Sequence, residues 1–146
     1  MRIVKTTIEH LKEAAQNLSA GDRAEFEAMK PGRNLELVLL RSLGETSRTI
    51  VDCEGRVLAT GGSRGCLWFV TTHRATIMPF RQKLRFLRTL EEHLACVRRF
   101  TTREERTNFV HEENKQHVRL LEYLGAEFAM APWVTETGAR FRQFWL

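Results

Sequence analysis

The stretch N-K-Q-H-V-R-L-L-E-Y-L-G, Asn114 to Gly125, decides how this chain is read. It lies between two short apolar runs, Asn108-Phe109-Val110 and Ala126-Glu127-Phe128. Asn114 suits an N-cap, because its side-chain oxygen can accept from a free N–H of the first turn. Gly125 suits the position just past a helix, where positive φ carries no steric cost for glycine. His117, Leu120, Leu121 and Leu124 fall at i, i+3, i+4 and i+7, one face of a helix. The stretch therefore predicts strand, capped helix, glycine stop, strand.

Working outward, the same signals order the rest of the chain. Arg2 to Lys5 reads as a first strand. Thr6 with Glu9 makes a capping-box pattern, and Leu11, Ala14, Ala15 and Leu18 recur behind it, so a helix is expected from about Thr7 to Leu18. Asp22 with Glu25 repeats the capping pattern before Phe26 and Met29, and Pro31-Gly32 breaks that helix. Leu35, Val38, Leu39 and Leu43 form the next stripe, closed by Gly44.

The period then changes. Thr49–Asp52 and Val57–Thr60 flank the turn signal Glu54-Gly55 and predict a hairpin. Gly61 to Gly65 reads as a loop. Cys66 to Thr72, C-L-W-F-V-T-T, reads as a buried strand by its β-branched and aromatic content. Ile77, Phe80, Leu84, Leu87, Leu90, Leu94 and Val97 recur by threes and fours and predict a long amphipathic helix with Pro79 in its first turn. Arg106–Val110, Phe128–Ala131 and Ala139–Phe144 supply the last strands. The order β-α-α-α-β-β-β-α-β-α-β-β predicts one α/β (α+β) domain over residues 1–146, a sheet with helices on both faces.

Composition bounds the class. The chain has 146 residues, 42% hydrophobic and 28% charged, as a globular domain with a real core requires. No apolar run reaches membrane-span length, and M-R-I-V-K-T-T-I-E-H has no apolar signal core, so a protein that is not secreted is expected. The net charge of +5 permits contact with nucleic acid without requiring it. Cys53, Cys66 and Cys96 are widely spaced and lack C-x-x-C; they are expected as small core residues and neither as a disulfide framework nor as a metal site.

Over essentially its full length the chain resembles the GNAT (N-acetyltransferase-like) fold. The likeness rests on the hairpin V-D-C-E-G-R-V-L-A-T-G, the strand and long helix from Cys66 to Phe100, and Asn114–Gly125, which is similar to the family pattern N-x-x-A-x-x-L-Y-E-x-x-G-F. Asn114, Leu120, Glu122 and Gly125 fall on that pattern in register. The resemblance implies a mixed, mostly antiparallel central sheet. It also implies an acetyl-CoA site, with Val70, Thr71, Thr72, His73, Arg74, Ala75, Asn114 and His117 as candidate contacts and Glu112 or His117 as candidate catalytic base.

The departures concern chemistry. The family pattern Q/R-x-x-G-x-G/A lets backbone N–H groups approach the coenzyme pyrophosphate at a helix start. Here that loop is T-T-H-R-A-T-I-M-P-F, without glycine, and Pro79 lacks a donor. Leu121 stands where the family has a Tyr able to protonate the departing thiolate, and leucine cannot donate. His117 replaces a family Ala. His titrates near neutrality and could serve as a base, although on an apolar helical face it is more often a satisfied core or cleft residue.

L-W-F-V-T-T, the Arg- and Leu-rich helix F-R-Q-K-L-R-F-L-R-T-L, and N-K-Q-H-V-R-L-L-E-Y-L-G-A-E-F together resemble the internal virion (internal core) proteins of short-tailed phages. This likeness covers most of the chain and is weakest before Thr46. It implies a protein of the virion or host cytoplasm, partnered by other virion proteins, acting in virion assembly or genome delivery without acetyltransferase turnover. Two rivals stand beside it: an active acetyl-CoA-dependent N-acetyltransferase, and a basic DNA-binding accessory protein using Arg81, Lys83, Arg85, Arg88, Arg98 and Arg99 for non-specific phosphate contacts.

Overall fold

The computed structural model describes all 146 residues. Four strands, β1 (Arg2–Lys5), β2 (Arg48–Val51), β3 (Val57–Ser63) and β4 (Leu67–Thr71), pair in that order, each antiparallel to the next. Four more, β5 (Thr107–His111), β6 (Glu127–Phe128), β7 (Trp133–Val134) and β8 (Arg140–Trp145), make a second sheet. β8 is its centre, with β5 on one edge and β6 and β7 following each other along the other. The two halves part between β4 and β5. Across the gap Asn108 donates from Nδ2 to the Leu67 carbonyl at 2.7 Å.

Helices cover both faces. Trp68 and Val70 of β4 pack with α1 (Ile8–Gln16) and α3 (Leu35–Arg41), around Leu11, Ala14, Leu39 and Val57. Phe69, pointing the other way, packs with α4 (His73–Ile77) and α5 (Phe80–Arg98), around Ile50, Ala75, Met78, Phe86 and Leu90. The second sheet sends Val110, Phe144 and Leu146 against Leu94 of α5 and Val118 and Leu121 of α6 (Lys115–Tyr123). The remaining helix, α2 (Ala20–Met29), packs against β5 and α6 and so spans the parting of the sheets.

The opening motif forms as expected. Asn114 caps α6, and Gly125 follows it at φ +81°. Several local expectations are corrected. Thr7, not Thr6, caps α1, with His10 completing the box; Thr6 is buried and its hydroxyl meets that of Thr49 at 2.9 Å. Ser19 rather than Asp22 caps α2, accepting from the Asp22 N–H. Gly61 and Gly62 belong to β3, opposite Phe69 and Trp68, not to a loop. A β-carbon on Gly61 would sit 2.6 Å from the Trp68 carbonyl oxygen, so the close strand approach requires glycine. Cys53 and Cys96 are exposed and Cys66 is half-buried, so the cysteines are not core residues.

The long apolar run is two helices. Met78 and Pro79 are extended, with ψ of 143° and 151°, and divide α4 from α5. The core face of α5 is Phe86, Leu90 and Leu94, while Ile77 and Phe80 are 68% and 73% exposed. Replacing Phe86 by Ala is expected to cost about 3–5 kcal/mol of unfolding free energy in a urea titration. Phe80→Ala should change it by less than about 0.5 kcal/mol.

Candidate functional site

One buried polar cluster ties α2, β4 and α6 together across the parting. Its centre is Asp22, 8% exposed. Asp22 Oδ2 accepts from the Thr71 N–H and the Thr71 hydroxyl, both at 2.7 Å. Asp22 Oδ1 accepts from Asn114 Nδ2 at 3.0 Å, and the same Nδ2 donates to Glu25 Oε2 at 2.9 Å. Asn114 Oδ1 turns the other way and accepts from the His117 N–H at 3.3 Å. The approach is close because residue 21 is glycine: a β-carbon there would lie 2.5 Å from Asn114 Oδ1.

His117 completes the cluster. Its Nδ1 lies 3.4 Å from Glu25 Oε2 and 3.7 Å from Asp22 Oδ1, as an ion pair without hydrogen-bond geometry. Its ring tilts against Phe69, with centroids 6.1 Å apart. Burial favours the neutral ring, but Glu25 and then Asp22 outweigh it and hold the His117 pKa above its ordinary value.

Two cavities meet at this cluster. One, of about 570 Å³, is mostly apolar and runs beneath α2 and α3 between the sheet halves. The other, of about 420 Å³, lies between the β4 end, the start of α5 and α6. Asp22, Phe69 and His117 line both.

Most of the candidate coenzyme contacts have their backbone N–H groups engaged within the fold. The Val70 backbone belongs to the β3 ladder. The Thr71 N–H is taken by Asp22, that of Thr72 donates to Leu58 O at 2.9 Å, that of His73 to Asn17 O at 2.8 Å, and that of Ala75 to Thr72 O at 3.0 Å. Asn114 and His117 are engaged by α2. Arg74 retains donor capacity, its Nε being buried without a partner. A pyrophosphate cradle needs several free N–H groups on one loop, and here those of Thr71, Thr72, His73 and Ala75 bond within the fold.

The two candidate bases are not brought together. The Glu112 carboxylate faces β8, where Arg140 donates to it at 2.9 Å and Arg142 lies at 3.6 Å. The Arg140 hydrogen bond holds the Glu112 pKa below the ordinary carboxylate value, which weakens it as a base. Leu121 is packed in the second core among Val110, Val118 and Phe144. Asp22 and Glu25 were legible in the sequence only as a capping pair; the interior glycine before Asp22 was the available signal of a close helix contact.

Comparison with solved structures places this architecture among acetyltransferases. The GNAT domain of S. lividans PAT superposes with a TM-score of 0.63 at 13% identity, covering 99% of this chain and 90% of that one. The acetyltransferase (GNAT family) from Bacillus anthracis gives 0.61 at 9% identity, covering 98% and 91%. Apo YjaB from Escherichia coli gives 0.59 at 16% identity, covering 99% and 95%. At such identities the likeness is one of fold, and the fold is GNAT-like. Among curated proteins none matches the sequence. The family described as Bacteriophage T7, probable scaffold protein Gp13, matches residues 47–131, more than half of the chain, and the chain belongs to that family. The match contains Asn114 and His117 but not Asp22 or Glu25.

Two outcomes test the cluster. Gly21→Ala should push Asn114 off the α6 cap and cost on the order of 1–3 kcal/mol in chemical denaturation. His117 should make stability depend on pH with a definite sign. Its folded pKa lies above the ordinary 6.5, so its contribution is complete below that value and disappears as pH rises through the folded pKa. Melting temperatures measured from about pH 6 to about pH 9 should fall in the wild type, and His117→Gln should remove that part of the decline.

Proposed function

We propose that this chain is a phage virion-assembly protein of the internal virion type, built on a GNAT-like scaffold and without acetyltransferase turnover. It works in the host cytoplasm or the assembling particle, in contact with other virion proteins. The observation that carries the reading is the commitment of the coenzyme loop: the N–H groups of Thr71, Thr72, His73 and Ala75 all bond within the protein. Leu121 in the core and Glu112 on its arginines support it from the side of the chemistry. The scaffold-protein description of the family supports it from the side of biology. No helix is long and apolar enough to cross a membrane.

Titration with acetyl-CoA distinguishes this reading from the enzymatic one. A ligand at about 100 times its dissociation constant stabilises the native state by about 2.7 kcal/mol, a readily measured rise in melting temperature. The expected result is no shift up to millimolar coenzyme. A clear shift that Ala75→Pro abolishes would overturn the proposal. Deleting the gene from its phage should leave particles that assemble or infect poorly, with the chain supplied in trans restoring them.

A further inference from the structure

The first two turns of α5 stand in solvent. Every residue from Pro79 to Arg85 is exposed, and the helix enters the core only at Phe86. On this free segment Phe80 is 73% exposed and Leu84 is 40% exposed, with half-buried Leu87 one turn on. Phe80, Leu84 and Leu87 follow the 4–3 spacing of a coiled-coil seam, at positions d, a and d. Ile77, at the end of α4 and likewise exposed, stands beside the seam's start. Leu87 also lines the cavity between α5 and α6, so the seam borders a groove.

Charge flanks the seam in the same frame. Arg81 and Arg88 fall at e, and Lys83 falls at g. None of them forms a salt bridge, and neither does Arg85. Across the groove Arg119 of α6 is exposed and unpaired as well. A seam so flanked rejects a second copy of itself, because its e and g positions would meet like charges.

We propose that the start of α5 is a docking surface for an acidic amphipathic helix of another protein. That helix carries apolar residues at a and d and Glu or Asp at e and g. Its apolar side lies on Phe80, Leu84 and Leu87, and its carboxylates pair with Arg81, Lys83 and Arg88. The inference rests on the assembly reading, since it gives such a protein the surface and partner chemistry it needs. An apolar seam with its charges at e and g favours a helix over duplex DNA, which would leave Phe80 and Leu84 in water.

The test uses the full chain and a fluorescein-labelled synthetic peptide of about three heptads, Leu and Ile at a and d, Glu at e and g. Saturable binding by anisotropy is expected, weakening as salt rises. Phe80→Ser with Leu84→Ser should weaken it about tenfold or more, with the melting temperature unchanged because these side chains are exposed. Arg81→Glu, Lys83→Glu and Arg88→Glu together should reject the Glu peptide and accept the same peptide with Lys at e and g. Absence of saturable binding, or equal binding by the double variant, overturns the proposal. So does retention on phosphatidylserine vesicles or duplex DNA that the double variant loses and the peptide does not displace. If the peptide fails while acetyl-CoA gives no shift, the docking surface falls and the assembly reading stands; an acetyl-CoA shift overturns the assembly reading.

Discussion

The carboxylate of Asp22 holds together what the sheet does not. β4 and β5 share no hydrogen-bond ladder, so the two four-stranded halves need another tie. Asp22 supplies it from α2, with one oxygen on Thr71 of β4 and the other on Asn114 of α6. A buried carboxylate is costly unless every lone pair finds a donor. Here the backbone N–H and hydroxyl of Thr71 and the amide of Asn114 donate to it, and the His117 ring stands 3.7 Å away. Asn114 serves twice, as cap of its own helix and as donor to α2. The packing of α2, the cap of α6 and the width of the parting are therefore one constraint, and Gly21 is the residue small enough to permit it.

That constraint bears on chemistry. A backbone N–H donates one good hydrogen bond, so a donor spent within the fold is lost to a ligand. On β4, Thr71 turns its N–H and C=O away from β3, toward the parting. Asp22 takes the first, and the N–H of Ser19 takes the second at 2.9 Å. The start of α2 thus lies along the strand edge that opens onto the parting. His117 is consistent with this arrangement. Glu25 and Asp22 beside the ring favour its charged form over the neutral one that burial alone would favour, and they lie 3.4 Å and 3.7 Å from Nδ1.

How far the sequence disclosed this follows from the range of each interaction. The cap at Asn114 and the stop at Gly125 are local events, and the residues that make them stand where the motif says. The bond from Asn114 to Asp22 joins residues far apart in the chain, and no local pattern reports it. Asp22 and Glu25 instead matched a capping pair, the commoner meaning of that spacing. The long helix failed differently. Two stripes interleave there, Phe80-Leu84-Leu87 and Phe86-Leu90-Leu94, and both are helical in period. Periodicity identifies the helix; only packing tells which stripe meets the core. The break at Met78-Pro79 was signalled by proline's disfavour of helical geometry in the preceding residue, but the stripe running on from Ile77 masked it.

The two stripes also differ in how much apolar surface the fold buries. Full burial of a Phe or Leu side chain is worth roughly 1.5–3 kcal/mol, and the fold leaves most of that unrealised at Phe80 and part of it at Leu84. In a catalytic domain the free energy available for recognition is concentrated in a cleft. Here α2 crosses the cleft and the N–H groups of Thr71, Thr72, His73 and Ala75 bond within the fold, whereas apolar and cationic groups without partners stand on the exposed start of α5. The proposed docking of a partner helix rests on that surface. On the proposed assembly reading, recognition moves from the cleft to the exposed start of α5, while the strand order and the capped helix from Asn114 to Gly125 stay as the fold sets them.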